Sequence, residues 1–111
     1  MWLKKSVEEQ LQTLKANTGI TPNVAARIAF FRSVESGFVF DKAQDYKLSG
    51  NQKMDKFTWL GKTLLVTELL LKQRYPELSD KELQMAWAAH VESGVSAIRN
   101  QSELVALVSA L

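Results

Sequence analysis

Apolar side chains recur along this chain at helical spacing, in blocks set off by glycine and proline. Val7, Leu11 and Leu14 fall on one face of a first helix. Ser6 and Glu9 ahead of them have capping-box spacing, and Gly19 suits the stop. Thr21 and Pro22 open a second helix, since a threonine oxygen accepts orphan amide protons and proline at the first helical position forfeits no hydrogen bond. Val24, Ala25, Ile28, Phe31 and Val34 make its apolar stripe, and Gly37 suits a left-handed end. Residues 6–36 therefore read as a helix–turn–helix hairpin with residues 19–23 at its corner. Residues 1–5 admit a short strand, with Trp2 and Lys4 on one side and Leu3 and Lys5 on the other.

Periodicity lapses over residues 38–57, where Asp41, Asp45, Ser49, Gly50 and Asn51 are turn formers after the apolar trio Phe38, Val39 and Phe40. A connection this long is often functional. A third helix is predicted from about Thr58 to Tyr75, carrying Leu60, Leu64, Leu65, Leu69 and Leu71 and stopped by Pro76; Gly61 weakens it. Ser79 and Glu82 repeat the capping-box spacing and open a fourth helix, with Leu83, Ala86, Trp87, His90, Val91 and Ile98 near one face. Gly94 there suits close approach of another backbone. Ser102 can cap a last short helix ending at Leu111. The expected class is all-α: a single helical domain over residues 1–111, led by the hairpin and its ribbon-like N-terminal segment.

Composition changes this picture little. Of 111 residues, 46% are hydrophobic and 23% charged, which is enough for one core and far from the disordered class. No apolar run approaches the ~20 residues of a membrane span, and no apolar signal segment follows Lys4 and Lys5, so a cytoplasmic protein is expected. The net charge is +2 but uneven: residues 1–32 and 53–75 each carry +3, and residues 76–111 carry −3. That asymmetry permits a basic surface aimed at an anionic partner.

The usual catalytic constellations are missing from these 111 residues. There is no cysteine, which removes thiolate nucleophiles, thiolate metal sites and iron–sulfur ligation. His90 is the single histidine and has no carboxylate or second imidazole at helical spacing, so it reads as a hydrogen-bonded packing residue and neither metal nor cofactor is expected. No glycine run resembles a phosphate-cradling loop. The acidic pairs Glu8–Glu9 and Asp80–Glu82 sit in first helical turns, where they favourably face the helix dipole. What remains is basic and aromatic: Lys53, Lys56 and Lys62 around Phe57 and Trp59, and Lys4 and Lys5 beside Trp2. Lysines neutralise phosphates and rings stack on exposed bases, although the same residues also suit a solvated surface over a core.

The ordered pieces Thr18-Gly19-Ile20-Thr21-Pro22-Asn23, Arg27-Ile28-Ala29-Phe30, Ser33-Val34-Glu35-Ser36-Gly37, Phe57-Thr58-Trp59-Leu60-Gly61 and Ala89-His90-Val91-Glu92-Ser93-Gly94-Val95 together resemble the DndE family. These are small subunits of bacterial DNA phosphorothioation systems. The resemblance spans most of residues 11–98. It implies a non-catalytic helical protein, assembling as a homotetramer, that binds DNA, nicked duplex above all, through surface lysines. It also implies partner subunits DndC and DndD, which carry the sulfur chemistry. The lysines and arginine to which it directs attention are Lys4, Lys5, Lys15, Arg27, Lys53, Lys56 and Lys62, and the hairpin corner Gly19, Thr21 and Pro22 is the expected oligomer contact. Two other readings compete. A ribbon-helix-helix repressor shares the strand–helix–turn–helix order but leaves residues 38–111 unexplained. An adaptor that never touches DNA would scatter its lysines.

Overall fold

The computed structural model describes residues 1–42 and 56–100, with side chains as far as residue 97. Its elements are α1 (Lys5–Thr18), α2 (Pro22–Ser36), α3 (Lys56–Leu60), a 3-10 turn (Gly61–Thr63), α4 (Leu64–Arg74) and α5 (Asp80–Asn100). The all-α expectation holds. Turn formers Asp45, Ser49, Gly50 and Asn51, along with Lys53, Ile98 and the final helix predicted after Ser102, lie outside these described residues or side chains.

The core is a crossing of α2 on α5, the most extensive helix contact among the described residues. Both helices meet it with small residues: Ala25, Ala26 and Ala29 from α2, and Ala86, Ala88 and Ala89 from α5, are all buried. Phe30, Trp87 and Val91 fill the space around the crossing. Each such fully buried large side chain contributes about 1.5–3 kcal/mol of apolar transfer free energy. Gly94 marks the tightest point, because a Cβ there would collide with the carbonyl of Ala29 and stand 2.6 Å from its Cα.

Two glycine stops act as predicted. Gly19 (φ 78°) and Gly37 (φ 85°) both occupy the left-handed region and cap α1 and α2, their amides donating to Lys15 O and Val34 O. The Ser79–Glu82 box also forms: Glu82 N donates to Ser79 Oγ at 3.2 Å and Ser79 N donates to Glu82 Oε1 at 3.0 Å. Those hydrogen bonds, with a lesser contribution from Lys42, hold the Glu82 carboxyl below its ordinary range.

Other expectations are corrected. Residues 1–4 form no strand; they run extended into the start of α1, burying Met1 and Leu3 in the chain's own core. The ribbon required by a ribbon-helix-helix dimer is therefore not displayed. The same extended lead-in moves the start of α1 to Lys5, placing Ser6 inside the first turn, so the Ser6–Glu9 box does not form. Thr21 occupies the N-cap of α2 but makes no side-chain cap hydrogen bond. The third predicted helix begins two residues early and is broken in two at Gly61, whose φ of 52° is incompatible with a continuous helix. Finally, Leu65 and Leu69, read as core, are 67% and 58% exposed, and Val24 and Ile28 of the predicted α2 stripe are 39% and 40% exposed.

Candidate nucleic-acid interface

The basic and aromatic segment around α3 is built from two parts of the chain. A five-residue helix cannot satisfy its own terminal carbonyls, and α2 does so from outside. Arg27 Nε donates to Trp59 O at 2.8 Å, its Nη2 donates to Thr58 O at 3.0 Å, and Asn23 Nδ2 reaches Thr58 O at 3.4 Å. A cation at a helix C-terminus also complements the dipole. The guanidinium lies over Gly61, 2.6 Å from where a Cβ would stand, so the break in the third helix makes room for Arg27. From the other side Trp59 anchors α3: it is buried, packs on Trp87 with ring centroids 5.5 Å apart, and donates from Nε1 to Met1 O at 3.0 Å. Phe57, two positions earlier, faces solvent with 74% of its surface exposed.

The predicted cations do not all occupy one place. Arg27, Lys56 and Lys62 share the shoulder formed by α3 and the following turn, with Lys56 and Lys62 exposed. Lys56 is paired with Glu68 of α4 at 3.0 Å. Lys4 is elsewhere, half-buried and paired with Glu92 of α5 at 3.1 Å. Lys5 is exposed at the start of α1 and Lys15 in its last turn, by the hairpin corner. At that corner Gly19 and Thr21 are exposed and Pro22 is half-buried, and no atom lies within 4 Å of a Cβ built on Gly19. A groove of about 290 Å³ beside the Lys56–Glu68 pair is lined by both signs of charge, Lys56 and Lys72 with Glu68 and Asp80. Among the described residues, no group of three or more His, Cys, Asp and Glu side chains is placed to hold a metal ion.

His90 is a packing residue with a full set of hydrogen bonds. It is wholly buried, and its ring makes edge contacts with Phe30 and Phe38. Tyr75 OH accepts from Phe40 N at 2.9 Å and lies 2.7 Å from His90 Nε2; Ser33 Oγ lies 2.8 Å from Nδ1. Both ring nitrogens are thus engaged by hydroxyl groups, each of which can donate or accept. Burial, aided by the positive charge of Arg74, pushes the pKa of the imidazole down to about 4, so the ring is neutral at neutral pH. The unfolded chain, with an ordinary value near 6.5, takes up a proton first on acidification. Stability carried by neutral His90 is thus present above about pH 6.5 and lost as pH falls towards 4, on the order of 3 kcal/mol. Urea midpoints measured across that range should fall for the parent and fall less for His90→Gln. Parallel curves for the two proteins would contradict the assignment. Ser33 and Tyr75 are not evident as partners in the sequence, although Ser33 continues the buried stripe of Ala26 and Phe30, where a lone hydroxyl signals a hidden acceptor or donor.

Taken together, these features define a small all-α protein in which a glycine-capped hairpin crosses one long helix and carries a rigidly mounted cationic shoulder. The family model described as "DNA sulphur modification protein DndE" matches residues 1–106. The chain belongs to the DndE family. Among solved structures it is similar to DndE from Escherichia coli B7A, described as involved in DNA phosphorothioation modification, with 57% identity, a TM-score of 0.86, and coverage of 89% of this chain and 94% of that one. A DndE G21/24K mutant involved in DNA phosphorothioation is 55% identical, with a TM-score of 0.84 and coverage of 89% and 95%. No curated protein matches the sequence.

Proposed function

We propose that this chain is a non-catalytic, DNA-contacting subunit of a cytoplasmic phosphorothioation machinery. Membership of the DndE family over residues 1–106 carries the reading. On it, the sulfur chemistry rests with partner subunits of the DndC and DndD kind, in keeping with a chain of 111 residues that holds no cysteine and a single, buried histidine. DNA is held by phosphate contacts from the lysines, above all on the α3 shoulder and around Lys5 and Lys15, which are exposed. Lys4 joins them only by leaving Glu92, and Arg27 contributes its charge while its donors stay on the α3 carbonyls. The chain assembles with copies of itself, as a tetramer, through the exposed corner at Gly19, Thr21 and Pro22.

Phosphate contacts carry no base information, so binding should be tolerant of sequence and steeply dependent on salt. Random duplex, nicked or intact, should compete with any selected duplex to within about tenfold at equal salt. A repressor would instead hold its operator ~1,000-fold tighter or more. Light scattering on the same samples should give the mass of an oligomer, and a single-chain mass would remove the corner from the account.

A further inference from the structure

Phe57 is the most exposed large apolar side chain among the described residues, yet the two residues that follow it are tied to other parts of the chain. Trp59 is 1% exposed against Trp87, Met1 O accepts its indole proton, and Arg27 and Asn23 hold the Thr58 and Trp59 carbonyls. The ring is therefore presented beside an anchored piece of backbone, which lowers the ordering cost of binding. Three cations lie on or beside its element. Lys56 precedes it, the Arg27 guanidinium holds the carbonyl of the next residue, and Lys62 follows on the turn at Gly61; of these, Glu68 engages Lys56 alone. An unpaired nucleotide offers both a π-face and a phosphate on either side, and so matches the ring and the neighbouring cations together.

We infer that Phe57 is a base-stacking platform, taking an unpaired DNA base at a gap or strand end while Lys56 and Lys62 hold the adjoining phosphates. The inference rests on the DNA-binding reading above and assigns a residue to a preference for open strands over intact duplex, which phosphate contacts by themselves do not produce. Trp59, the other ring in this segment, is excluded from the role by its burial.

The test compares the parent, Phe57→Ala and Phe57→Tyr on three labelled DNAs of random sequence: intact duplex, the same duplex with a single-stranded gap, and single strand. Removing an exposed side chain should leave the fold intact. Phe57→Ala is expected to lose roughly tenfold or more on the gapped and single-stranded forms while holding intact duplex to within about twofold, and Phe57→Tyr should restore the loss. A 5-iodouracil base placed in the gap should photocrosslink to Phe57. If Phe57→Ala binds all three DNAs as the parent does, the stacking role is wrong while the lysine reading stands. A change of particle mass in Phe57→Ala with an unchanged preference for gaps assigns the ring to a protein contact, and overturns the inference. A parent that binds none of the three DNAs overturns the DNA-binding reading itself, and the stacking role with it.

Discussion

Replacing Gly94 with valine should prevent the chain from folding, and replacing it with alanine should cost about 3 kcal/mol. On an exposed helix the second change would be favourable by ~1 kcal/mol, because alanine is the better helix former. Here the sign is reversed by what the new methyl group meets. It would collide with the carbonyl oxygen and carbon of Ala29 and stand 2.6 Å from its Cα, all backbone atoms of α2, so no flexible side chain can swing away. Relief requires α2 and α5 to separate, which opens the contact where Ala26, Phe30, Trp87 and Val91 are buried. A domain whose whole stability is ~5–15 kcal/mol does not survive a large fraction of that loss. Urea unfolding of Gly94→Ala measures it directly, and a midpoint equal to or above the parent's would show that the helices do not cross as closely as described.

Several parts of the fold that depend on neighbouring residues were legible in the sequence, although the equally local Ser6–Glu9 box and the Thr21 side-chain cap did not form. Gly19 and Gly37 end helices because the local backbone needs a positive φ, and Ser79 and Glu82 cap one another across a single turn. What depends on distant partners was not. The third helix breaks at Gly61 because Arg27, from another helix, occupies the space beside it, and nothing near Gly61 in sequence announces this. Leu65 and Leu69 have the spacing of a core stripe, but periodicity reports that an apolar face exists without saying what covers it.

The candidate site divides in the same way. Basic and aromatic residues around residue 57 were evident, but residues two apart on a helix point nearly opposite ways, so one of Phe57 and Trp59 had to face outward and the sequence did not choose. The structure buries Trp59 and exposes Phe57. His90 was legible as a packed histidine from its apolar stripe and missing ligands. Its partners Ser33 and Tyr75, separated from it by 57 and 15 residues, became visible only once α2, α4 and α5 were assembled.

Changing Lys53, Lys56 and Lys62 together to glutamate should abolish DNA binding at low salt and lower phosphorothioation in cells. The substitutions take the formal charge of each chain from +2 to −4, and assembly multiplies the change over every copy. Folding should barely respond. Lys56 and Lys62 are exposed, and the Lys56–Glu68 pair, with side chains 50% and 35% exposed, contributes under about 1 kcal/mol. Each lost phosphate contact also removes a released counterion, so the slope of log affinity against log salt should shrink by roughly 3 if all three lysines take part. The difference between parent and variant should narrow as salt rises, because screening weakens attraction and repulsion alike. The decisive measurement is the affinity of the two proteins for nicked duplex of random sequence across a salt series, with helical content checked in parallel. The account predicts tight, salt-sensitive binding by the parent and a loss of ~100-fold or more in the folded variant at the lowest salt. Equal affinities at every salt concentration would contradict it, and would shift the search for the DNA surface to Lys5 and Lys15.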